Sequence, residues 1–404
     1  MNGVNKTKNI AVVDNSVSVL MLIKQMMSRL GYENVTCFSC PQEALKEINY
    51  DISRFDAVFT NLGMPDIDGM CVIRELGKMS YRGAVCIISD LENRVTELAA
   101  EIAKLQWIYL LGSIAKPITL EALGDILTKL HKIEDKIECQ TSALSRDALM
   151  RCIINDQVLP YYQPKVNLIS RRVESVEVLA RIDDGVRPVI YPSCFIPTAI
   201  KYDLVDLITT AIAEKTASDM EKLSEIFSED VEVSINLSAK QLDDLNVPQR
   251  LEGLFRNKKV QRSRITVEIT EESSLSSPEQ LESLNRFRMQ GFGVSLDDFG
   301  TGFANFQHLR YLPFTEVKVD RSLVSKIHAD HFSQAILRSL VDFSAETGCR
   351  VVAEGVELEE EFEYLATHYP SIYAQGYFIC QPKHIGELKS WYQQWKMKNT
   401  VVAF

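Results

Sequence analysis

No apolar run in this 404-residue chain reaches the ~18 residues that a membrane span needs, and the opening MNGVNKTKNI lacks the apolar core of a secretory signal. Membrane insertion and export are therefore not expected, and a cytoplasmic location is. Excess positive charge is also missing. The net charge of −11 argues against general nucleic-acid binding, which needs a basic face to neutralise phosphates. One local basic run, Arg256, Lys258, Lys259, Arg262 and Arg264, reads as a solvated loop between a helix and a strand. The nine cysteines, an odd number scattered through apolar segments, read as reduced thiols and not as a disulfide framework. Cys37 and Cys40 form a lone CxxC with no second pair or nearby histidine, which suits structural thiols. The six histidines fall outside every motif and receive no role.

What is present points to two domains. From NIAVVDN onward, strand-like and helix-like segments alternate five times, the pattern of a doubly wound parallel α/β domain of about 125 residues. The segment from His131 to Ser145 is charged and polar and carries heptad-like Leu127, Leu130, Ile133 and Ile137. It reads as the last helix running on into a linker, with a short coiled seam between subunits as a second reading. SRDALMRCIIND, with Ser145 as its N-cap, opens the next domain. The expected boundaries are 1–130, a helical linker at 131–144, and 145–404.

The second domain holds seven stretches that each read as a strand ending in a polar or charged residue. They are VEVLARI with Glu177 and Arg181, VSINLS with Asn236, TVEITEE with Glu268 and Glu271, VSLDDFGTG with Asp297 and Asp298, EVKVD with Lys318, VVAEGVE with Glu354 and Glu357, and YAQGYF with Gln375. Amphipathic, helix-like segments separate most of them, as in a βα repeat closing into a barrel. Such barrels place their chemistry at the C-terminal ends of the strands. The oxygen-rich set Glu177, Asn236, Glu268, Asp297, Asp298 and Glu354 contains no His or Cys, which suits Mg²⁺ or Mn²⁺ and not zinc or copper. Two such ions about 3.5 to 4 Å apart would activate a water and neutralise a phosphoryl group, the needs of phosphodiester hydrolysis. Arg181 lies two positions beyond Leu179 on its strand, where a guanidinium fork can reach a phosphate. Gly300 and Gly302 would let the loop after Asp298 turn tightly.

These strings carry two family resemblances. Residues 8 to 130 resemble the receiver domain of response regulators, through VVDN at Asp14 and Asn15, DAVFTNLGMPDIDGM around Asn61, IISD with Ser89, and AKP with Lys116. The resemblance implies transfer of a phosphoryl group to an aspartate, but that position is Asn61, and an amide cannot form the acyl phosphate. Asn15 replaces a second acid, so Mg²⁺ affinity should fall. The expectation is a pseudo-receiver that keeps the fold and a protein-binding face, with takeover of the acceptor role by Asp66 or Asp68, in the loop after the strand, as the lesser reading. From Ser145 onward the chain resembles the EAL family of cyclic di-GMP phosphodiesterases, a modified TIM barrel. The motifs are YYQPKV with Gln163 and Lys165, Glu177-Val178-Leu179 with Arg181, NLS, EITE, DDFGTG, KVD, AEGVE and QGY.

The EAL resemblance implies that Asp297 bridges two Mg²⁺ or Mn²⁺ ions, that Glu177, Asn236 and Glu268 complete one sphere, and that Asp298 with Glu354 serves the other. It also implies that Lys318 and Gln375 orient the attacking water, with Glu354 either base or ligand. Gln163, Pro164, Leu179 and Arg181 are assigned to substrate. Glu271 would hold the loop from Asp298 to Asn305, and Glu357 would support it. The expectation is a c-di-GMP phosphodiesterase that yields pGpG and dimerises, or assembles further, through the barrel, with a protein partner at the pseudo-receiver. A non-catalytic cyclic di-GMP receptor is the alternative.

Overall fold

The structure, a computed structural model, describes residues 8–65, 67–79, 81, 83–90, 93–105, 108–141, 144–185, 188–270, 275, 277–301, 309 and 311–400. At 93, 94, 97, 101, 104, 105, 131–141 and 400 it describes the backbone alone. The chain forms two compact units, Met1–Thr141 and Ser142–Phe404.

The first unit is a five-stranded parallel sheet in the order β2-β1-β3-β4-β5, with β1 Ile10–Val13, β2 Val35–Phe38, β3 Ala57–Asn61, β4 Ala84–Ser89 and β5 Tyr109–Ala115. Strands β1, β3 and β4 are buried along their whole length, because helices cover both faces of a doubly wound sheet and leave no room for an alternating polar face. One face packs Ile10, Val12, Phe59 and Cys86 against Leu20, Ile23 and Leu127. The other packs Val13, Val58 and Val85 against Ile48, Val72 and Ile73. The last helix runs from Leu120 to Thr141. Leu127 and Leu130 are buried in this unit's own core, so they do not supply an intersubunit seam. Ile133 and Ile137 lie outside the described side chains.

In the second unit eight strands close into a barrel in the order β10-β11-β12-β13-β6-β7-β8-β9. They are β6 Val158–Asn167, β7 Val173–Ile182, β8 Glu232–Asn236, β9 Ile265–Thr270, β10 Gly293–Phe299, β11 Glu316–Val319, β12 Arg350–Ala353 and β13 Tyr373–Ala374. All neighbours are parallel except β6, which runs antiparallel to both β7 and β13. The apolar core lies between strands and helices, where Val176, Val178, Val233, Val267 and Val294 meet Ile212, Leu251 and Leu284. Trp391 and Trp395 stack at 6.0 Å, and Trp395 donates to Arg171 O, so both serve packing.

Two expectations are corrected here. Among the described residues, seven cysteines are free thiols but Cys194 is disulfide-bonded, so the cysteines are not uniformly reduced. Spacing along the chain carries no signal for such a link. Arg264 is not a loop charge, since its guanidinium donates to Val231 O and Ser224 Oγ at 2.9 Å each. No helix among the described residues is long and apolar enough to cross a membrane.

Candidate active site

The barrel interior is polar where many barrels stack Val, Ile and Leu. Because strand side chains alternate, Glu177, Leu179 and Arg181 share one side of β7, while Val176, Val178 and Ile182 pack against the helices. The same alternation turns Glu268 of β9, Asp297 of β10 and Lys318 of β11 inward, and all three are buried.

Asp298 breaks the alternation. Its φ of 58° is a left-handed conformation that Asp tolerates better than most residues, and the pairing of β10 with β11 shifts between Leu296 and Phe299. Two consecutive carboxylates therefore converge where a regular strand would point them apart. The Asp298 N–H donates to Asp297 Oδ1 at 2.9 Å. Gly300 follows with φ +110°, and a Cβ there would meet Leu323 Cδ1 at 2.5 Å.

Carboxylate oxygens of Glu177, Glu268 and Asp297 lie within 4.8 Å of one another, and so do those of Asp297, Asp298 and Glu354. Asp297 belongs to both groups. Asn236 donates its Nδ2 to Glu177 Oε1 at 3.0 Å, which leaves the amide oxygen as its acceptor. The Lys318 ammonium sits among the acids, 2.7 Å from Glu354, 2.9 Å from Glu268 and Asp297, and 3.2 Å from Glu177. Gln375 Nε2 reaches Glu177 Oε2 at 2.6 Å and Gln163 Oε1 at 3.0 Å. Gln375 Oε1 is a buried acceptor without a hydrogen-bond partner among the described residues, an orphan that an incoming donor would satisfy. Oxygen-only donors in two groups sharing one carboxylate fit a pair of hard divalent cations.

The electrostatics agree with that fit. Burial pushes Asp297 up to about 7, and Glu268, Glu177 and Asp298 add to the rise against the pull of Lys318. Glu354 also lies well above the usual carboxylate range, through burial and through Asp297 and Glu177, in spite of Lys318. Burial acts on Glu268 in the same sense, but Lys165 and Lys318 overcome it and hold that group at about 2. The cluster thus carries more negative charge than its lysines neutralise.

The remaining expected residues fall at defined places. Gln163 stands opposite Glu177 in the register of β6 and β7 and donates to Cys380 O at 3.0 Å. Pro164, one residue on, lies on the other face of β6. Arg181 is buried, donates to Ala180 O at 2.8 Å, and lies 5.0 Å from the Tyr191 ring centroid and 6.0 Å from that of Tyr161. Leu179, half-buried, pairs with Tyr161. Glu357 is exposed and pairs with Arg321 at 2.5 Å. Glu271 and Gly302 lie outside the described residues. Two buried residues without an expected role join the network: Lys165, 2.7 Å from Glu268 and 2.8 Å from Glu316, and Glu316 itself. Glu316 precedes Lys318 by two, and that period was the available signal.

In the first unit the corresponding site is small and internally paired. Lys116 Nζ lies 2.8 Å from the buried Asp14. Asn61 Nδ2 donates to Asn15 Oδ1 at 3.4 Å and to Gly63 O at 3.2 Å, while Gly63 N–H donates to Asn61 Oδ1. The peptide N–H of Lys116 donates to Ser89 O, which ties β4 to the segment after β5.

The profile of the EAL domain matches residues 146–382, and that of the response regulator receiver domain matches residues 10–128. The chain is 28% identical to the cyclic di-GMP phosphodiesterase RocR of Pseudomonas aeruginosa, across 81% of this chain and 84% of RocR. It is 34% identical to PdeG of Escherichia coli, a probable cyclic di-GMP phosphodiesterase, across 60% of this chain but only 48% of PdeG. Among solved structures, the MucR phosphodiesterase of Pseudomonas aeruginosa in complex with c-di-GMP superposes with a TM-score of 0.55 at 27% identity, over 59% of this chain and 97% of that one.

Proposed function

Since the chain belongs to the EAL domain family and carries a receiver domain ahead of its barrel, we propose that it hydrolyses cyclic di-GMP to linear pGpG with two bound Mg²⁺ or Mn²⁺ ions. The observation that carries this reading is the pair of carboxylate groups sharing Asp297. Glu177, Asn236, Glu268 and Asp297 would hold one ion, and Asp297, Asp298 and Glu354 the other. Bound there, the cations neutralise charge on the phosphoryl oxygens and acidify the attacking water.

The protein's own groups do the rest. The Lys318 ammonium and the Gln375 amide both donate to Glu177 Oε2, at 3.2 and 2.6 Å. Two donors converging on one point suit the task of orienting a water. Oxygen from that water joins phosphorus, one P–O3′ bond breaks, and the leaving 3′ oxygen ends protonated. Arg181, held between Tyr161 and Tyr191, is assigned to a phosphate oxygen, with Gln163 and Leu179 beside a guanine, whereas Pro164, on the face of β6 that Tyr162 turns to the core, is withdrawn from the substrate set.

The receiver domain would act without phosphate, through contact with a protein partner or through dimerisation of the barrel, because Asn61 offers no acceptor oxygen of the required kind. A second-messenger substrate sets the activity in the cytoplasm. The test is purified full-length protein with cyclic di-GMP and Mg²⁺ or Mn²⁺, product followed by chromatography, and Glu177→Ala as control. Formation of pGpG that the substitution abolishes supports the reading. Intact cyclic di-GMP with measurable binding would make the protein a receptor instead.

A further inference from the structure

Below the carboxylate cluster lies a second charged layer that the reading above leaves idle. Lys165 has no exposed side-chain surface. Its ammonium has three protons, and three acceptors take them: Glu268 Oε1 at 2.7 Å, Glu316 Oε1 at 2.8 Å and Ser234 Oγ at 3.0 Å. Glu316 Oε1 also accepts from Ser295 Oγ at 3.0 Å, and its Oε2 faces Arg350 at 3.6 Å. Arg350 is held in turn by Glu232 at 2.6 Å. Six strands contribute to this layer, from β6 and from β8 through β12. Burying so many charges where aliphatic side chains would fill the space costs desolvation that packing alone does not explain.

The layer meets the cluster at one residue. Glu268 gives Oε1 to Lys165 from below and turns Oε2 toward Lys318 at 2.9 Å. One of its oxygens is thus committed before any ion arrives, and the carboxylate cannot rotate without losing a 2.7 Å charge-assisted bond. We infer that Lys165, braced by Glu316, is a positioning residue that makes Glu268 a single-oxygen ligand aimed at the space shared with Glu177 and Asp297. The inference rests on the metal reading above. The bracing runs through Glu316 and Arg350, which touch no reacting atom.

The test is Mn²⁺ binding to the purified full-length chain without substrate, read by electron paramagnetic resonance, with a thermal melt of the metal-free protein as the check on folding. Lys165→Met keeps the apolar stem and removes the three donors. It is expected to raise the Mn²⁺ dissociation constant by about 10- to 100-fold, the usual cost of removing a residue that orients a metal ligand. Glu316→Gln keeps an acceptor for Lys165 and Ser295 but removes the charge, and should raise the constant by less. A folded Lys165→Met protein that binds Mn²⁺ like the unaltered chain overturns the inference, even if its melting temperature drops. Should Lys165→Met not fold, unchanged affinity in Glu316→Gln overturns it equally. No Mn²⁺ binding by the unaltered chain, or binding untouched by Glu177→Ala, would sink the metal reading itself and this inference with it.

Discussion

Replacing Lys318 by Met removes the single cation that four carboxylates share. Glu177, Glu268 and Asp297 hold oxygens within 4.8 Å of one another. At that spacing and an effective dielectric of about 20, each ionised pair repels by about 3.5 kcal/mol or more, or roughly 10 kcal/mol for three pairs. Across its contacts of 2.7 to 3.2 Å, the ammonium returns about 5 to 6 kcal/mol apiece on the same scale, before several kcal/mol of its own desolvation. Without it the repulsion rivals the whole stability of a typical domain, about 5 to 15 kcal/mol. The metal-free variant must take up protons, melt earlier, or both. Divalent ions should compensate more strongly in the variant than in the unaltered chain, because no ammonium competes for the same oxygens. The assay is thermal unfolding in mildly alkaline buffer after chelation, with and without Mn²⁺. A lower melting temperature for Lys318→Met and a larger rise on adding Mn²⁺ are expected, together with loss of hydrolysis. Equal melting temperatures and equal Mn²⁺ shifts in the two proteins would refute the charge argument.

Protonation supplies a second prediction. Asp297 titrates at about 7 when folded and near 3.8 ordinarily, so its contribution is fully present below the lower value and is lost as pH rises through the higher one. The melting temperature of the metal-free protein should fall across that window while Mn²⁺ affinity climbs, and a metal-free melt that rises with pH there would contradict the assignment. Gly376→Ala should destabilise the barrel by about 3 kcal/mol or more, measured by denaturant titration, because its Cβ would stand 2.1 Å from Val356 O. An unchanged midpoint would show that the backbone gives way. Acetyl phosphate should leave the unaltered chain unmodified by intact mass, whereas Asn15→Asp/Asn61→Asp restores carboxylates beside Asp14 and should gain a phosphoryl group; uptake by the unaltered chain would end the pseudo-receiver reading.

Much of the site was legible because polar and charged residues interrupt apolar strands. Asn236 closes the apolar run of β8, while Glu177, Glu268 and Asp297 stand within β7, β9 and β10 among apolar neighbours, and a polar residue there needs a reason that burial does not supply. What alternation could not convey was Asp298, whose left-handed turn brings it beside Asp297. Lys165 and Glu316 escaped for a different cause: one lies within β6 and the other opens β11, a lone charge at either place reads as surface, and only the closed barrel shows that they meet in its interior. Leu127 and Leu130 misled because one apolar stripe serves equally for a coiled seam and for docking on the domain's own sheet.

The reversed strand β6 decides where the chain enters the barrel. Were all eight strands aligned, the polypeptide would come in at the quiet floor of the barrel. Because β6 runs the other way, the stem leading into Val158 joins at the rim, with Leu159 in register with Arg181 and Gln163 with Glu177. The chain thus enters this barrel beside the doorway and not through the foundations.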